Sequence, residues 1–346
     1  MIEYKIINRE VCHMQGVAEL YGCAHPNSAA KTAQYFVDKH FHNPVNDGVI
    51  AGIALDGDRI VGTAFFVSGE YLYQNKTYKS ALACDYMVHP DYQRRGISTR
   101  LTRLVEDYLF NRGYDFLTTF PNNKSKTGFL RNQWKEIFTF DYFILPCFFP
   151  SFLSYSFSGS TIWKDIRAMK NVSALKIGSA DILNEDDYAM LNGDGSRFRL
   201  KRSRELYNFK FNEEYMKYYY VKITESNKVK LLLTAREDIR RVKGIRLKFI
   251  GIVDYNSFCE DFNDEIRCFA CAIAELRKKG HAIVVWESTS KRFNDQLVNL
   301  LKFMSLSKLH VGKSKHYYLT KRLNPQMPSE VESAKHWDLQ WVEADL

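Results

Sequence analysis

A chain of 346 residues, 45% of them hydrophobic and 14% aromatic, is long enough for two domains with their own cores and too apolar for a disordered chain. Its formal charge of +9 and isoelectric point near 9.0 favour acidic ligands, whether a nucleotide pyrophosphate, nucleic acid or an anionic membrane surface. Lys and Arg are spread along the chain without a recognition-helix pattern or zinc module, which argues against nucleic acid.

Met1-Ile2-Glu3-Tyr4-Lys5 begins charged and alternating, as a first strand to Ile7 would and a signal peptide would not. A helix over Val11 to Tyr21 and a second segment, Ala29 to Phe41, follow; the latter carries Tyr35-Phe36 and Lys39-His40 before Asn43-Pro44. Val49 to Leu55 and Arg59 to Phe66 form a hairpin across Asp56-Gly57-Asp58. Lys79 to Val88 is a third long strand, ended by Pro90. Gln93-Arg94-Arg95-Gly96 then makes a basic turn before a helix that Ser98 or Thr99 can cap. Leu101, Leu104, Val105, Tyr108 and Leu109 make that helix's apolar stripe, which closes near Gly113. Backbone N–H groups at such a turn, with the positive end of the helix dipole behind them, suit a pyrophosphate, and Gly96 lets it come close. A strand from Asp115 to Phe120, then Pro121-Asn122-Asn123-Lys124-Ser125 and Phe129 to Trp134, complete the first half.

Gln93-Arg94-Arg95-Gly96-Ile97-Ser98 resembles the Arg/Gln-x-x-Gly-x-Gly/Ala signature of the GNAT acyltransferases, with Ser98 in the last small position. The resemblance covers residues 1–145 and implies an α/β fold on a mixed sheet. It also implies acyl-CoA, carrying an acetyl or short hydroxyacyl group, as co-substrate, with no metal. Met87, Val88, Gln93, Arg94, Arg95, Gly96, Ile97 and Ser98 would hold it, while Asn122 and Ser125 take the places that meet its pantetheine arm. Trp134 replaces the family's closing phenylalanine. Five residues earlier, where the family carries its proton-donating tyrosine, stands Phe129.

Residues 146–175 read as a connector, because Pro146 and Pro150 cut the aromatic run from Phe143 to Phe157; that run is not taken for a membrane segment. The second half, 176–322, repeats the plan. Arg202 to Phe211 echoes Tyr35 to Phe41, Tyr218 to Thr224 pairs with Val229 to Ala235, and Arg246 to Val253 is a third strand. A helix from Asp264 to Lys279, a strand from Ala282 to Trp286, a helix from Phe293 to Met304 and a strand from Leu309 to Leu319 follow. Where the first half has its glycine turn, the second has Asp254-Tyr255-Asn256-Ser257-Phe258, so tandem GNAT folds are expected with the second degenerate and free of coenzyme A. Cys268 and Cys271 form a C-x-x-C that belongs to helix packing rather than zinc, and the seven cysteines, in no framework spacing, suit a reduced compartment. The tail, 323–346, holds His336-Trp337-Asp338-Leu339-Gln340-Trp341, either packed on the second domain or facing substrate. A cytoplasmic protein is expected, with its oligomeric state open.

A tandem GNAT with one competent half is similar to bacterial enzymes that N-acylate amino sugars carried on a nucleotide diphosphate, for surface polysaccharides. That resemblance implies such a sugar as partner, with Lys39, Arg202, Arg204 and Lys210 as candidates to bind it. The amine must lose a proton before it attacks a thioester. Asp85, inside an apolar strand, is the first candidate base, with a structural carboxylate satisfied by backbone or Arg94 as its other reading. His25 and His40 are alternatives. A protein, peptide or small amine as acceptor, and a non-catalytic binding module, are the rival functions.

Overall fold

A computed structural model of the chain describes all residues except 9, 27–29, 147–174, 179, 212–215, 243–244, 291–292, 296–315, 341 and 343–346. The strand β1 (Ile2–Ile7) is followed by helices α1 (Met14–Ala24) and α2 (Ala33–His40), then the long antiparallel strands β2 (Val49–Asp56), β3 (Arg59–Tyr73) and β4 (Lys76–Val88). Helix α3 (Ile97–Asn111), strand β5 (Phe116–Thr119), helix α4 (Asn123–Arg131) and strands β6 (Lys135–Phe140) and β7 (Tyr142–Pro146) follow. The second half has β8 (Leu175–Gly178), α5 (Glu185–Leu191), β9 (Arg199–Leu200), α6 (Arg204–Lys210), β10 (Tyr218–Glu225), β11 (Lys228–Val242) and β12 (Ile245–Ser257). It closes with α7 (Phe262–Leu276), β13 (Ala282–Trp286) and β14 (His316–Arg322).

The fold is mixed α/β, as expected, on two sheets. The first runs β1-β2-β3-β4-β5-β14-β6, with β9 added beside β3, and the second runs β7-β13-β12-β11-β10-β8. In each, three antiparallel neighbours lead to a parallel step, β4 to β5 and β12 to β13. The two halves exchange their last strands. β7 leaves the first half to pair with β13, Tyr142 opposite Trp286 and Ile144 opposite Val284. β14, expected in the second domain, lies between β5 and β6 of the first sheet, Leu319 opposite Thr119 and Tyr318 opposite Phe138. The connector, most of the helix expected from Phe293 to Met304 and the start of the last strand lie outside the described residues.

Period-two alternation decides which helix covers which face of the first sheet. Ile53, Phe65, Val67 and Met87 face α1 and α2 with Met14, Val17, Leu20 and Phe36. Phe66, Ala81 and Ala83 face α3 and α4 with Ile97, Leu101, Val105 and Phe129. Gly62 lets α3 lie close on the sheet, since a Cβ there would fall 2.7 Å from Ile97. β3 and β4 run further than their alternation indicated, to a tight turn at Gln74 and Asn75, both with positive φ. Their outer end is held by the other half: Tyr71 and Leu72 pair with β9. A shared core joins the halves there, with Tyr71, Phe116 and Phe140 against Phe198, Tyr207 and Trp337. Trp337 is fully buried and donates its indole N–H to the Val331 carbonyl at 2.9 Å, so it packs in the core. Cys268 is also core, its Sγ 3.9 Å from Cys259 Sγ. Among the described residues no helix is long and apolar enough to cross a membrane.

Candidate active site

The site opens where two neighbouring strands part. β4 and β5 pair only from Ser80–Phe116 to Ala83–Thr119, and the Thr119 hydroxyl donates to the Ala83 carbonyl at 3.0 Å as the last tie. Beyond it β5 turns away through Pro121 into α4, while Asp85 to Val88 stay beside β3. A bulge falls at the parting. Thr63 stands opposite Met87 but Phe65 opposite Cys84, so an extra residue on β4 is accommodated. Asp85 takes the strain with φ of 45°, and the Thr63 hydroxyl pins its carbonyl at 3.1 Å. The β4 backbone past the bulge therefore faces the gap without a β5 partner, free to pair with an extended ligand.

A cavity of about 1020 Å³ fills that gap. Met87, Val88, Gln93, Arg94, Gly96, Ile97, Ser98, Asn122 and Ser125 line it, with Tyr86, Thr102, Phe129, His25 and His316. Gly96 caps α3 at φ of 76°, so the helix begins at Ile97, and the cap expected at Ser98 or Thr99 is not formed because both lie inside its first turn. The first N–H groups of a helix have no partner within it, and here they face the cavity over a residue with no side chain. A Cβ at Gly96 would meet nothing within 4 Å, which leaves a cradle open to a phosphate. These residues fit a coenzyme A pyrophosphate. Arg95 does not join them: its guanidinium donates to the Asp91 carbonyl at 2.8 Å and lies over the Tyr92 ring. Asn122 caps α4 with its side-chain oxygen, accepting from the Lys124 and Ser125 N–H groups at 2.9 and 3.0 Å; its amide N–H₂ is the part left to meet a pantetheine arm.

On the other face of β4, Asp85 meets the end of α2. Lys39 Nζ donates to Asp85 Oδ2 at 2.8 Å, and His40 Nε2 lies 2.7 Å from the same oxygen. These, not Arg94, are its partners. Burial alone would raise the Asp85 carboxyl, but the Lys39 charge and the His40 contact outweigh it and hold the group well below the usual carboxylate range. Lys39 is correspondingly raised: Asp85 more than offsets the burial that would lower it. His40 is fully buried, stacked 4.6 Å from Phe65, and burial lowers it despite Asp85. Among the described residues its Nδ1 has no hydrogen-bond partner, as a neutral ring donating from Nε2 would leave it. Cys84 stands close enough to share an ion with His40 and Asp85, yet burial raises its thiol and Lys39 already occupies the carboxylate. The arrangement is an ion pair and suits Asp85 better as a fixed anion, which can hold an ammonium, than as a proton acceptor. His25, exposed at the end of α1 and 4.8 Å from the Tyr21 ring, faces the coenzyme cavity instead.

The cations assigned to an acceptor in the second half are not brought together. Arg202 is buried and spends every nitrogen inside the protein: Nε and Nη2 on the two Asp254 oxygens at 2.9 Å, Nη1 on the Leu200 carbonyl at 3.0 Å. It has no fork to offer a phosphate, a correction that follows from the buried Asp254 opposite it. Arg204 is exposed and pairs with Glu185 at 2.9 Å. Lys210 donates to the Val342 carbonyl at 3.0 Å and lines a pocket of about 20 Å³ between the halves. Tyr86 and Thr102 were missed by sequence reasoning. The signal was available, since Tyr86 alternates with Asp85 and must face the opposite side of β4, where the coenzyme motif lies.

Residues 14–133 match the model of the acetyltransferase (GNAT) family. No curated protein matches the chain by sequence. Among solved structures it is similar to a GCN5-related N-acetyltransferase from Anabaena variabilis, at a TM-score of 0.64 and 11% identity over 93% of this chain and 73% of that one. It is also similar to an Enterococcus faecalis protein described as a probable N-acyltransferase, with TM-score 0.63, 11% identity and coverage of 94% and 73%. Saccharomyces cerevisiae N-myristoyltransferase with bound myristoyl-CoA superimposes at 0.57, 11% identity, over 97% of this chain and 89% of that one. At such identity the likeness speaks to the fold, and the cradle at Gly96 and the parted strands supply the site. Residues 14–133 thus form a GNAT domain, on a chain that has the fold of these N-acetyl- and N-acyltransferase structures.

Proposed function

We propose that the enzyme acylates the primary amine of an amino sugar carried on a nucleotide diphosphate, using acetyl-CoA or a short hydroxyacyl-CoA, in the assembly of surface polysaccharide. The observation that carries the catalytic half is one cavity lined both by the Gly96 cradle and by the β4 edge that is freed from β5 past the bulge at Asp85. In this reading the N–H groups at Gly96 to Ser98 hold the pyrophosphate and the β4 edge past Asp85 pairs with the pantetheine arm. The bound thioester supplies an activated acyl carbon. His25, exposed in the cavity wall, takes the proton of the acceptor's ammonium, while Asp85, paired with Lys39, fixes the bulge behind the free β4 edge. The surplus of +9 favours an acceptor that carries phosphate.

In a second reading the amine belongs to a protein, peptide or small molecule, and the likeness over 97% of this chain to an N-myristoyltransferase holding myristoyl-CoA adds longer acyl-CoAs as donors to test. Acetyl-CoA and longer acyl-CoAs, each crossed with nucleotide amino sugars and with short peptides and read by mass spectrometry, separate the two. Acylation of a sugar nucleotide is the expected outcome. Acylation of peptides alone would replace the first reading by the second.

A further inference from the structure

We propose that Tyr86 protonates the departing coenzyme A sulfur, in place of the tyrosine that this chain lacks at position 129. The inference rests on the acyl-CoA site described above. Phe129 has no proton to give, but Tyr86 comes up from β4 beside it, the two rings 5.1 Å apart and edge to face. Both line the coenzyme cavity, at the end of the gap where the β4 edge becomes free. The Tyr86 hydroxyl lies 3.4 Å from Thr102 Oγ1. Thr102 has a single proton and a better acceptor for it, the Ser98 carbonyl at 2.8 Å. The Tyr86 proton then has Thr102 Oγ1, at a long 3.4 Å, as its weak acceptor among the described residues. Its counterpart in the second sheet, Tyr255, is spent: its hydroxyl donates to Glu265 Oε1 at 3.0 Å. Burial raises the Tyr86 phenol well above its usual value, so it keeps its proton at neutral pH.

The step balances without a further reagent. The new C–N bond forms, the C–S bond breaks and the sulfur keeps the bonding pair. Tyr86 gives that sulfur its hydroxyl proton and regains one from water admitted by the cavity. The nitrogen sheds two protons on the acceptor side: one makes up for the proton drawn from water, and the other is the net proton released.

The test uses free coenzyme A as probe. Binding is scored first by calorimetry, and the ionisation of the bound thiol is then followed against pH by its ultraviolet absorbance. A hydroxyl donor favours the thiolate, so the thiol should ionise about one pH unit lower in the wild type than in Tyr86→Phe. The double variant Tyr86→Phe/Phe129→Tyr, which returns a hydroxyl to the neighbouring ring, should recover that shift. Turnover with acetyl-CoA should fall about 100-fold in Tyr86→Phe, with KM for acetyl-CoA unchanged, and recover in the double variant. Equal thiol ionisation in the wild type and Tyr86→Phe, with binding intact, overturns the role of Tyr86 alone. Absence of coenzyme A binding in the wild type overturns the site itself, and Tyr86 with it.

Discussion

The same dipeptide stands on the fourth strand of each sheet, Asp85-Tyr86 on β4 and Asp254-Tyr255 on β12, each beside a bulge. The surroundings differ. Asp85 is 24% exposed and held by Lys39 and His40 from the end of α2. Asp254 is 1% exposed and sealed by Arg202 and the Tyr207 hydroxyl. Counting from the helix caps Thr32 and Ser203, Lys210 and Phe211 hold the places of Lys39 and His40. At the next helix start the contrast is sharper. Gly96 leaves the N–H groups of α3 open, whereas Asp261 caps α7 with its own carboxylate on the Asp264 N–H at 3.3 Å, and Asp264 and Glu265 follow in the first turn. The second sheet satisfies its helix dipole internally and would repel a phosphate. One fold thus serves as a site where a loop leaves donors unpaired, and as a scaffold where it pairs them.

The largest effect should come from closing the open start. Gly96→Val puts a β-branched residue at φ of 76° and a side chain in the phosphate cradle. Calorimetry should find no coenzyme A binding, and a retained affinity would move the pyrophosphate elsewhere. Arg202→Ala strands the buried Asp254 charge and should cost about 3–5 kcal/mol of stability by denaturant titration. Arg204→Ala, at an exposed pair, should leave both melting and acceptor KM unchanged. If instead Arg204→Ala raised acceptor KM, the second sheet would hold substrate after all.

Asp85→Asn should lower kcat by about 100-fold or raise acceptor KM, while coenzyme A affinity stays as it was. His25→Ala in parallel separates proton acceptor from anchor, because only loss of the acceptor flattens the acid limb of the pH profile. The smallest effect concerns pH. His40 is lowered in the folded protein, so its stabilising contribution is complete above its ordinary value of 6.5 and is lost as pH falls through the folded value. Asp85 and Asp254, both lowered from 3.8, keep theirs until the carboxylate range. Hydrogen exchange from pH 7 to 5 should therefore loosen α2 and the adjoining part of β4 before it loosens α6 and β12. Equal loosening would mean that His40 takes up its proton alike in the folded and the opened form, so that burial does not lower it.

The glycine turn and the helix starts that line the cavity were legible because their signal is local. Gln93 to Ser98 specifies a turn and a helix start within six residues, and Asn122 and Ser125 sit at the next helix start by the same logic. The Asp85 cluster on the other face of β4 was legible only as a set of residue types. Asp85, Lys39 and His40 were named separately, but nothing in the spacing of 39 and 85 shows one carboxylate oxygen taking both. Arg202 misled because an arginine near a helix start looks the same whether it faces solvent or, as here, a buried aspartate 52 positions away.

By itself the sequence determined the element order, the α/β class, the glycine turn and its absence from the second half, since each depends on backbone preferences and side-chain periodicity over a few residues. Only the tertiary structure decided where β7 and β14 would pair. Both alternate as half-buried strands do, and period-two alternation assigns a face but not a neighbour. The exchange places Lys321 of β14 against Glu106 of α3 at 2.6 Å, and the Trp134 indole donates to that same carboxylate at 2.8 Å. The wall behind the coenzyme cavity is consequently completed by a strand some two hundred residues downstream, a partnership that no local pattern encodes.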